Sequence, residues 1–526
     1  MPNRQGDMTL RRYQQKGLAI IPVDGSFALT SENKRLMLIG KTISKCVLAG
    51  LLSSTLLAGE PAVPVAEREI YDAFAQADGQ APVTLMPREG VPDEDVYQFR
   101  AAAPQEAAVE EGATRYLETQ FLLNRGIETY GWVDVGIGAN GWGADWNGPI
   151  TFNDRSWQGQ MNQLYLVNER ILKEDQLSWG GRIDLLYGTD FLYTVAAGLD
   201  AYRSTPDPLG LTGPRWNTNR YYGLAMPQVY GELGSQELNV KFGHFYTLIG
   251  YEVVPAIGNF FYTHAYTMQY GEPFTHTGVL GTWVPNDQLT IIGGITNGWD
   301  NWDDGLETGA AIANPGPGQN SNASFLGAVT FSSSDGSQAL TLANSSGNQL
   351  SGAENGVGAN FVGNRTVTSL VYTNEFTDKL TYVYQSDFGY QAYANPAYQT
   401  QGQQNGSAYW YGANQYLFYN FTDYLIGGLR FEWFRDNNGT RVVSGLRDGS
   451  PGSTQQSAGF AGNFWAMTWG LNYLIGNNTV IRPELRYDWF SADVGGGNGP
   501  PTTMPYGRNL DQNGQFYGGC DIIWNF

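Results

Sequence analysis

The sequence lacks any run of about 20 apolar residues, the length that an α-helix needs to cross a bilayer, and its mean hydropathy is −0.32. Charged residues make up only 15% of the 526 residues, against roughly 25% in ordinary globular proteins. The first shortage excludes a helical membrane protein. The second, beside an aromatic content of 14%, excludes a disordered chain.

Cysteine and lysine are also scarce. Cys46 and Cys520 are the only cysteines, so the sequence offers no cysteine-based metal site. The whole chain carries a net charge of −20, whereas residues 1–59 carry eight basic and three acidic side chains, which leaves −25 for the remainder. That remainder keeps only three lysines, Lys173, Lys241 and Lys379. Such a surface repels nucleic acid and attracts cations, so we expect no nucleic-acid partner.

The N-terminal part is predicted to be a leader and a linker. Residues 1–59 are interpreted as a leader with a signal peptide, because Lys41 and Lys45 precede an apolar stretch too short to span a bilayer. Met37 is an alternative start site. Residues 60–124 are acidic and rich in Ala and Pro, which is typical of a linker, with a short amphipathic helix predicted at Arg115–Asn124. We therefore expect an exported mature protein.

From residue 125 to 526, side chains alternate with a period of two. Leu429 and Phe431, for example, oppose Arg430 and Glu432 across one predicted strand. The same alternation fits a soluble sandwich or a membrane barrel with an apolar exterior and a polar lumen. Predicted strands of about 9–12 residues, aromatic clusters at strand ends such as Phe260–Tyr262, and alternately short and long connections favour the barrel.

The C-terminus supplies the most specific signal. Ile522, Trp524 and Phe526 fall on one face of a terminal strand, and a closing Phe looks like the assembly signal of bacterial outer-membrane barrels. Bacterial single-chain barrels close with an even number of strands. We therefore predict an all-β fold: a transmembrane, antiparallel, up-and-down β-barrel of 16 strands. The sixteen predicted strands include a weak one near Leu340, and Pro227 and Pro483 within strands predict bulges or misplaced boundaries.

Catalytic motifs are weak. Gly136, Gly138 and Gly141 match a dinucleotide fingerprint, but no helix follows them. The three histidines, His244, His264 and His276, lack metal-ligand spacing and are expected to be structural. We therefore predict that the protein is not an enzyme and uses no metal or cofactor.

Charged residues suggest two further features. The first is a set of interior side chains expected to line a wet pore in four cation–anion pairs: Arg182, Asp184, Arg430, Glu432, Arg482, Glu484, Arg486 and Asp488. The second is an acidic loop, which could be a solvated loop, a calcium site or a constriction folded into the pore: Asp300, Asp303, Asp304 and Glu307.

Four segments together resemble one family: Tyr130–Gly141, Asn162–Ile171, Gly234–Glu252 and Phe274–Trp283. Their order is similar to that in the putative beta-barrel porin-2 (OmpL-like) family of bacterial outer-membrane proteins, over roughly 125–526. The resemblance implies a pore for small hydrophilic solutes and supplies no catalytic residues.

The function expected from these observations is passive diffusion of small hydrophilic solutes or ions across the bacterial outer membrane, with modest cation preference. The alternative is a plugged structural or adhesive barrel that displays surface loops. Expected partners are outer-membrane lipid, the barrel assembly machinery and, by analogy with trimeric porins, further copies of the chain.

Overall fold

A computed structural model describes residues 124–526, apart from residues 175, 202–214, 220, 303–322, 352–360, 393, 395–405, 443–458 and 493–503. Of the residues before 124 it describes only Leu117 and Leu122. The predicted leader and signal peptide, the linker, and most of the predicted helix Arg115–Asn124 therefore lie outside the described residues. No helix in the described ranges is long and apolar enough to cross a bilayer.

Sixteen strands account for most of the described chain. Their bounds are β1 Glu128–Asn140, β2 Gln160–Arg170, β3 Ser178–Gly188, β4 Gly223–Gly234, β5 Leu238–Tyr246, β6 Thr275–Asn286, β7 Leu289–Thr296, β8 Ser324–Ser332, β9 Gln338–Ser351, β10 Phe361–Thr377, β11 Leu380–Gln391, β12 Ala408–Thr422, β13 Leu425–Asp436, β14 Gly462–Ile475, β15 Thr479–Ala492 and β16 Gly514–Asn525. Between residues 124 and 526, the described ranges contain three short helical pieces: α1 Phe191–Thr194, a 3₁₀ turn at Ala256–Gly258 and a π-helical turn at Thr267–Gly271.

Each strand pairs antiparallel with its sequence neighbours, and β1 pairs with β16 to close the barrel. The prediction of 16 strands is confirmed, including the weak one near Leu340, which lies in β9. A closed sheet leaves no strand edge exposed to lipid, where unpaired N–H and C=O groups could find no partner.

The connections differ at the two ends of the barrel. At the turn end they are short, as at 378–379 and 423–424; at the loop end they are long, as at 189–222 and 247–274. Outer-membrane barrels have this asymmetry, with short turns on the periplasmic side. The alternation of short and long connections predicted from the sequence is confirmed.

Side chains alternate across the wall. Trp469, Leu471 and Tyr473 on β14 point outward and are exposed, whereas Thr468 and Asn472 on the same strand point inward and are buried. The exterior is therefore apolar and the interior polar, which is the inside-out arrangement of a membrane barrel.

The two strand prolines differ in their effect. Pro227 lies where the β3–β4 register shifts between Asp184 and Leu186, so the predicted bulge is present there. Pro483 stays in register opposite Cys520 on β16. On the β14 side, the ladder has no pairs at Arg482 and Pro483, although the register is unchanged.

We predict that Leu429→Lys lowers the free energy of unfolding by about 2–4 kcal/mol, because Leu429 faces outward near the middle of β13 and a lysine there would enter hydrocarbon. Urea titration of refolded barrel in bilayers measures this change. Thr290→Lys is the matched control, because Thr290 is half-buried on the interior face of β7. An equal loss in both variants would contradict the assigned facing.

The C-terminal residue closes the seam between β16 and β1. The N–H of Phe526 donates to the carbonyl of Gly131, and the N–H of Gly131 donates to the carbonyl of Phe526, both at 2.9 Å. Its ring lies 5.4 Å from the ring of Trp524, which is exposed on the outer face.

Deletion of Phe526 should reduce the outer-membrane yield of barrel without blocking export, because the seam loses two backbone hydrogen bonds and the terminal aromatic contact. Heat-modifiable migration of membrane fractions on an SDS gel measures the yield. A yield equal to that of the parent would refute a role for Phe526 in assembly.

Candidate functional site: a segment folded into the barrel

The connection between β5 and β6, residues 247–274, folds into the barrel interior; we call it the inward segment. Phe260, Phe261, Tyr262 and Tyr266 are all nearly fully buried. An aromatic cluster at a strand end is typical of a girdle at the membrane interface, and that interpretation of Phe260–Tyr262 is wrong. These rings pack inside the barrel, because small residues on the wall leave room for them.

Two wall glycines create that room. A Cβ added to Gly428 on β13 would lie 2.3 Å from the ring of Phe260, and one added to Gly470 on β14 would lie 3.0 Å from the ring of Phe261. Both distances are shorter than an ordinary carbon–carbon contact. A side chain at Gly428 would therefore displace the inward segment.

Arg430 on β13 is the central contact between the wall and the segment. Its guanidinium lies 2.8 Å from Glu252 of the inward segment and 2.7 Å from Glu432 on its own strand. It also donates to the carbonyl of Thr263 at 2.6 Å and to the Thr263 hydroxyl at 3.0 Å. The guanidinium group thus joins three parts of the interior at once.

Arg486 on β15 extends the network. It lies 3.0 Å from Glu432 and 2.9 Å from Asp488, and it donates to the carbonyl of His264 at 3.0 Å. The hydroxyl of Tyr266 donates to Asp488 at 2.9 Å. The side chains of Arg430, Glu432, Arg486 and Asp488 have no measurable exposure.

Arg482 and Glu484 bind the rest of the segment. Arg482 pairs with Asp521 on β16 and donates to the carbonyls of Ala256 and Asn259 at 3.0 and 2.6 Å. Glu484 accepts from the backbone N–H groups of Tyr262 and Thr263 at 3.0 and 3.1 Å.

Together these contacts solve a hydrogen-bonding problem. Irregular backbone inside a membrane barrel must find partners for its N–H and C=O groups, since each unsatisfied group is costly. The wall arginines supply donors to segment carbonyls, and the wall carboxylates accept from segment amides, as Glu432 does from the N–H of Tyr266 at 2.9 Å. The alternating charges of β13 and β15 therefore match the polar groups of the segment.

Strand β11 binds residues near both ends of the inward segment. Gln385 donates to Glu272 at 2.7 Å and to Asp387 at 2.8 Å, and it accepts from the N–H of Tyr251 at 3.2 Å. Burial, reinforced by the nearby carboxyl of Asp387, raises the pKa of Glu272. A protonated Glu272 can share its hydrogen with Asp387.

The first pair in the predicted pore-lining set lies on the opposite wall. Arg182 on β3 pairs with Asp184 at 2.7 Å and with Glu169 on β2 at 3.3 Å. The structure thus places all eight predicted side chains on the interior face and brings six of them together against the inward segment. Those six side chains are buried where they meet the segment.

Comparisons with known proteins follow this geometry. Residues 126–526 match the family model described as putative beta-barrel porin-2, OmpL-like. The chain belongs to this family. It is an outer-membrane porin barrel of the bacterial type, as the sequence resemblance predicted.

Several solved porins resemble the chain at low sequence identity. The chain is similar to the outer membrane channel DcaP of Acinetobacter baumannii (11% identity, TM-score 0.46, 76% of this chain and 97% of that chain). It is also similar to an anion-selective porin of Comamonas acidovorans (10%, 0.48, 76% and 99%) and to OprB of Pseudomonas putida (12%, 0.45, 77% and 96%). No curated protein sequence matches the chain.

The predicted acidic loop of the porin is only partly described. Asp300 accepts from the backbone N–H groups of Phe274 and Thr275 at 3.0 and 2.9 Å, so it anchors the start of β6. Asp303, Asp304 and Glu307 lie outside the described residues. No group of three or more His, Cys, Asp or Glu side chains in the described ranges is arranged to hold a metal ion.

The histidines have local partners. His244 contacts Thr277 at 2.8 Å, His276 contacts the carbonyl of Gly298 at 2.9 Å, and His264 lies 3.3 Å from Glu252. The glycines of the dinucleotide-like motif lie in and beside β1, where a Cβ at Gly138 would collide with the Tyr517 ring.

Sequence reasoning missed the segment residues that the wall binds, above all Glu252 and Thr263. The available signals were a 28-residue connection without a period of two and glycines within otherwise bulky strands. Neither signal identifies a partner, because Arg430 and Glu252 are 178 positions apart in the sequence.

Glu252 should make the stability of the porin decrease at low pH. Although burial opposes ionisation, Arg430 and His264 lower the pKa of Glu252 to about 2, against an ordinary value of 4.5. A depressed folded-state pKa contributes stability above about pH 4.5, and this contribution is lost as pH falls toward 2. The shift corresponds to about 3 kcal/mol.

We therefore expect Glu252→Gln to lower the temperature of the heat-modifiable transition at pH 7 and to flatten its fall between pH 4.5 and 2. Glu375→Gln, at an exposed position near the turn end of β10, should leave both unchanged. An acid profile of Glu252→Gln identical to that of the parent would show that this carboxylate does not hold the segment.

Proposed function

We propose that the porin is a passive channel for small hydrophilic solutes and ions, with a modest preference for cations. The observation that carries the proposal is the unequal covering of the interior. The charged inward-facing side chains on β13 and β15 are nearly fully buried, whereas all of the inward-facing residues on β7 except Thr296, namely Thr290, Ile292 and Gly294, are only half-buried. A segment held against one wall narrows a barrel of this size without filling it.

Cation preference is supported by the balance of interior charge. Among the described residues, thirteen buried carboxyl groups, or twelve without the protonated Glu272, face seven buried cationic groups. The carboxyl groups belong to Asp134, Asp154, Asp184, Asp190, Asp200, Glu252, Glu272, Asp387, Glu432, Asp436, Glu484, Asp488 and Asp521 and the cationic groups to Arg155, Arg182, Lys241, Arg365, Arg430, Arg482 and Arg486. Low-dielectric walls focus the resulting field into the lumen, which enriches cations there.

The eight predicted pore-lining residues take two roles in this proposal. Arg182 lies beside the path, and the fully buried Asp184 holds its guanidinium. The six on β13 and β15 act through the inward segment, whose position they fix. Assembly through the barrel machinery, and association into trimers, are further proposals; a heat-labile band of three times the mass on an unheated gel would support the latter.

The plugged, adhesive barrel is the second candidate. A cluster of nearly fully buried aromatic side chains at the loop end favours it: Tyr266, Tyr270, Trp299, Trp410, Phe434, Phe464, Phe490 and Tyr506. Such a cluster could close the outer mouth. Channel recording separates the two candidates, because a plugged barrel conducts no ions.

Purified, heat-modifiable protein should give discrete conductance steps in planar bilayers. In a KCl gradient, the sign of its reversal potential should show that K⁺ is more permeant than Cl⁻. The preference should weaken at 1 M salt, where the screening length is about 3 Å. A reversal potential that shows Cl⁻ to be the more permeant ion would contradict the charge argument. If folded protein gave no conductance steps, the plugged, adhesive barrel would be the remaining candidate.

The acidic loop is tested in the same recordings with the triple variant Asp303→Asn, Asp304→Asn and Glu307→Gln. Asp300 is kept because it anchors β6. Reduced cation preference would assign these carboxylates to the path, and an unchanged preference would assign the selectivity to other residues.

A further inference from the structure

One lysine of the barrel occupies an unusual position. Of the three lysines after residue 59, Lys173 lies in the connection 171–177 and Lys379 in the two-residue turn 378–379. Lys241 instead lies within β5, opposite Leu280 on β6, and its side chain points into the interior. A lysine facing a barrel interior is costly unless it is paired or hydrated.

Lys241 has both a partner and a neighbouring ring. Its ammonium lies 3.2 Å from Glu232 on β4 and 4.2 Å from the ring centre of Tyr230. Tyr230 in turn stands opposite Arg182 in the β3–β4 register, and Arg182 pairs with Glu169. We call these four charged residues, Glu169, Arg182, Glu232 and Lys241, the turn-end belt.

The belt differs from the β13–β15 network in its contact with water. The side chains of Glu232, Glu169 and Lys241 are 17%, 13% and 10% exposed, against 0% for Arg430 and Glu432. The four belt residues lie one to four residues from the turn-end termini of their strands. The half-buried interior face of β7 continues upward from the same region.

We infer that permeating ions pass the turn-end belt, and that Lys241 and Glu232 set the ion selectivity there. This inference rests on the proposed channel function. Two cations and two anions balance within the belt, and Asp184, which pairs with Arg182, belongs to the excess of interior carboxylates that decides the preference. Removal of one belt charge breaks that balance at a place where ions come close.

The expected size follows from Coulomb's law. A unit charge about 7 Å from an ion in water changes the energy of that ion by about RT, which is roughly a threefold change in its local concentration. Because the K⁺ and Cl⁻ concentrations shift in opposite directions, Lys241→Met should raise the K⁺/Cl⁻ permeability ratio about sevenfold, and Glu232→Gln should lower it about sevenfold. The buried pairs of β13 and β15 are shielded from the path by the inward segment.

The experiment measures reversal potentials in a KCl gradient for the parent, Lys241→Met, Glu232→Gln and the control Lys379→Met, all checked for heat-modifiable migration. Lys379 is exposed in a turn and should leave the ratio unchanged. Opposite shifts in the two belt variants, with none in the control, would support the inference.

A conducting parent whose potential is unaltered in both belt variants would overturn the inference and leave the channel function standing. Equal shifts in Lys241→Met and Lys379→Met would also overturn it, because a general surface charge would then explain the effect. A folded parent that carries no current would overturn the inference and the proposed function together.

Discussion

The arrangement of the barrel interior depends on one buried guanidinium. Arg430 is placed on the inner face by the strand alternation, and there it meets Glu252, Glu432 and Thr263 at hydrogen-bond distance. A charge removed from water is tolerated only with such complete pairing, and loss of one partner leaves the other uncompensated. The wall charges thus need the inward segment as a partner, and the segment needs the wall charges.

This mutual requirement divides the interior into two sides. On β13 and β15 the charged side chains of the wall are hydrogen-bonded to amides and carbonyls of the inward segment. These side chains therefore hold the segment in place and have no contact with water. On the side of β4 and β7, parts of the interior face retain partial exposure, and two ion pairs lie near the turn end. A path for solutes is therefore expected along the second side, with the first acting as its support.

Most of the fold follows from local pattern, whereas the interior does not. Period-two alternation and a terminal Phe526 predict sixteen strands and their facing, since each strand carries its own signal. The eight interior charges are predicted by the same alternation. Their partners are not, because the contact of Glu484 with Tyr262 joins residues 222 positions apart and the segment has no periodicity. Aromatic content likewise misplaces Phe260–Tyr262, as a ring suits both a membrane interface and a packed interior.

The central claim is that the interior is dry along β13–β15 and wet along β7. The most direct measurement is labelling of single cysteines by a membrane-impermeant, hydrophilic thiol reagent in a Cys520→Ser background lacking Cys46. Thr468, on β14, is buried on the interior face of the barrel, and Thr290, on β7, is half-buried on the same face. The two test variants are therefore Thr468→Cys and Thr290→Cys. The account predicts fast labelling at 290 and little at 468 in folded barrel, with equal labelling after heat denaturation. Equal rates at the two positions in folded barrel would contradict it.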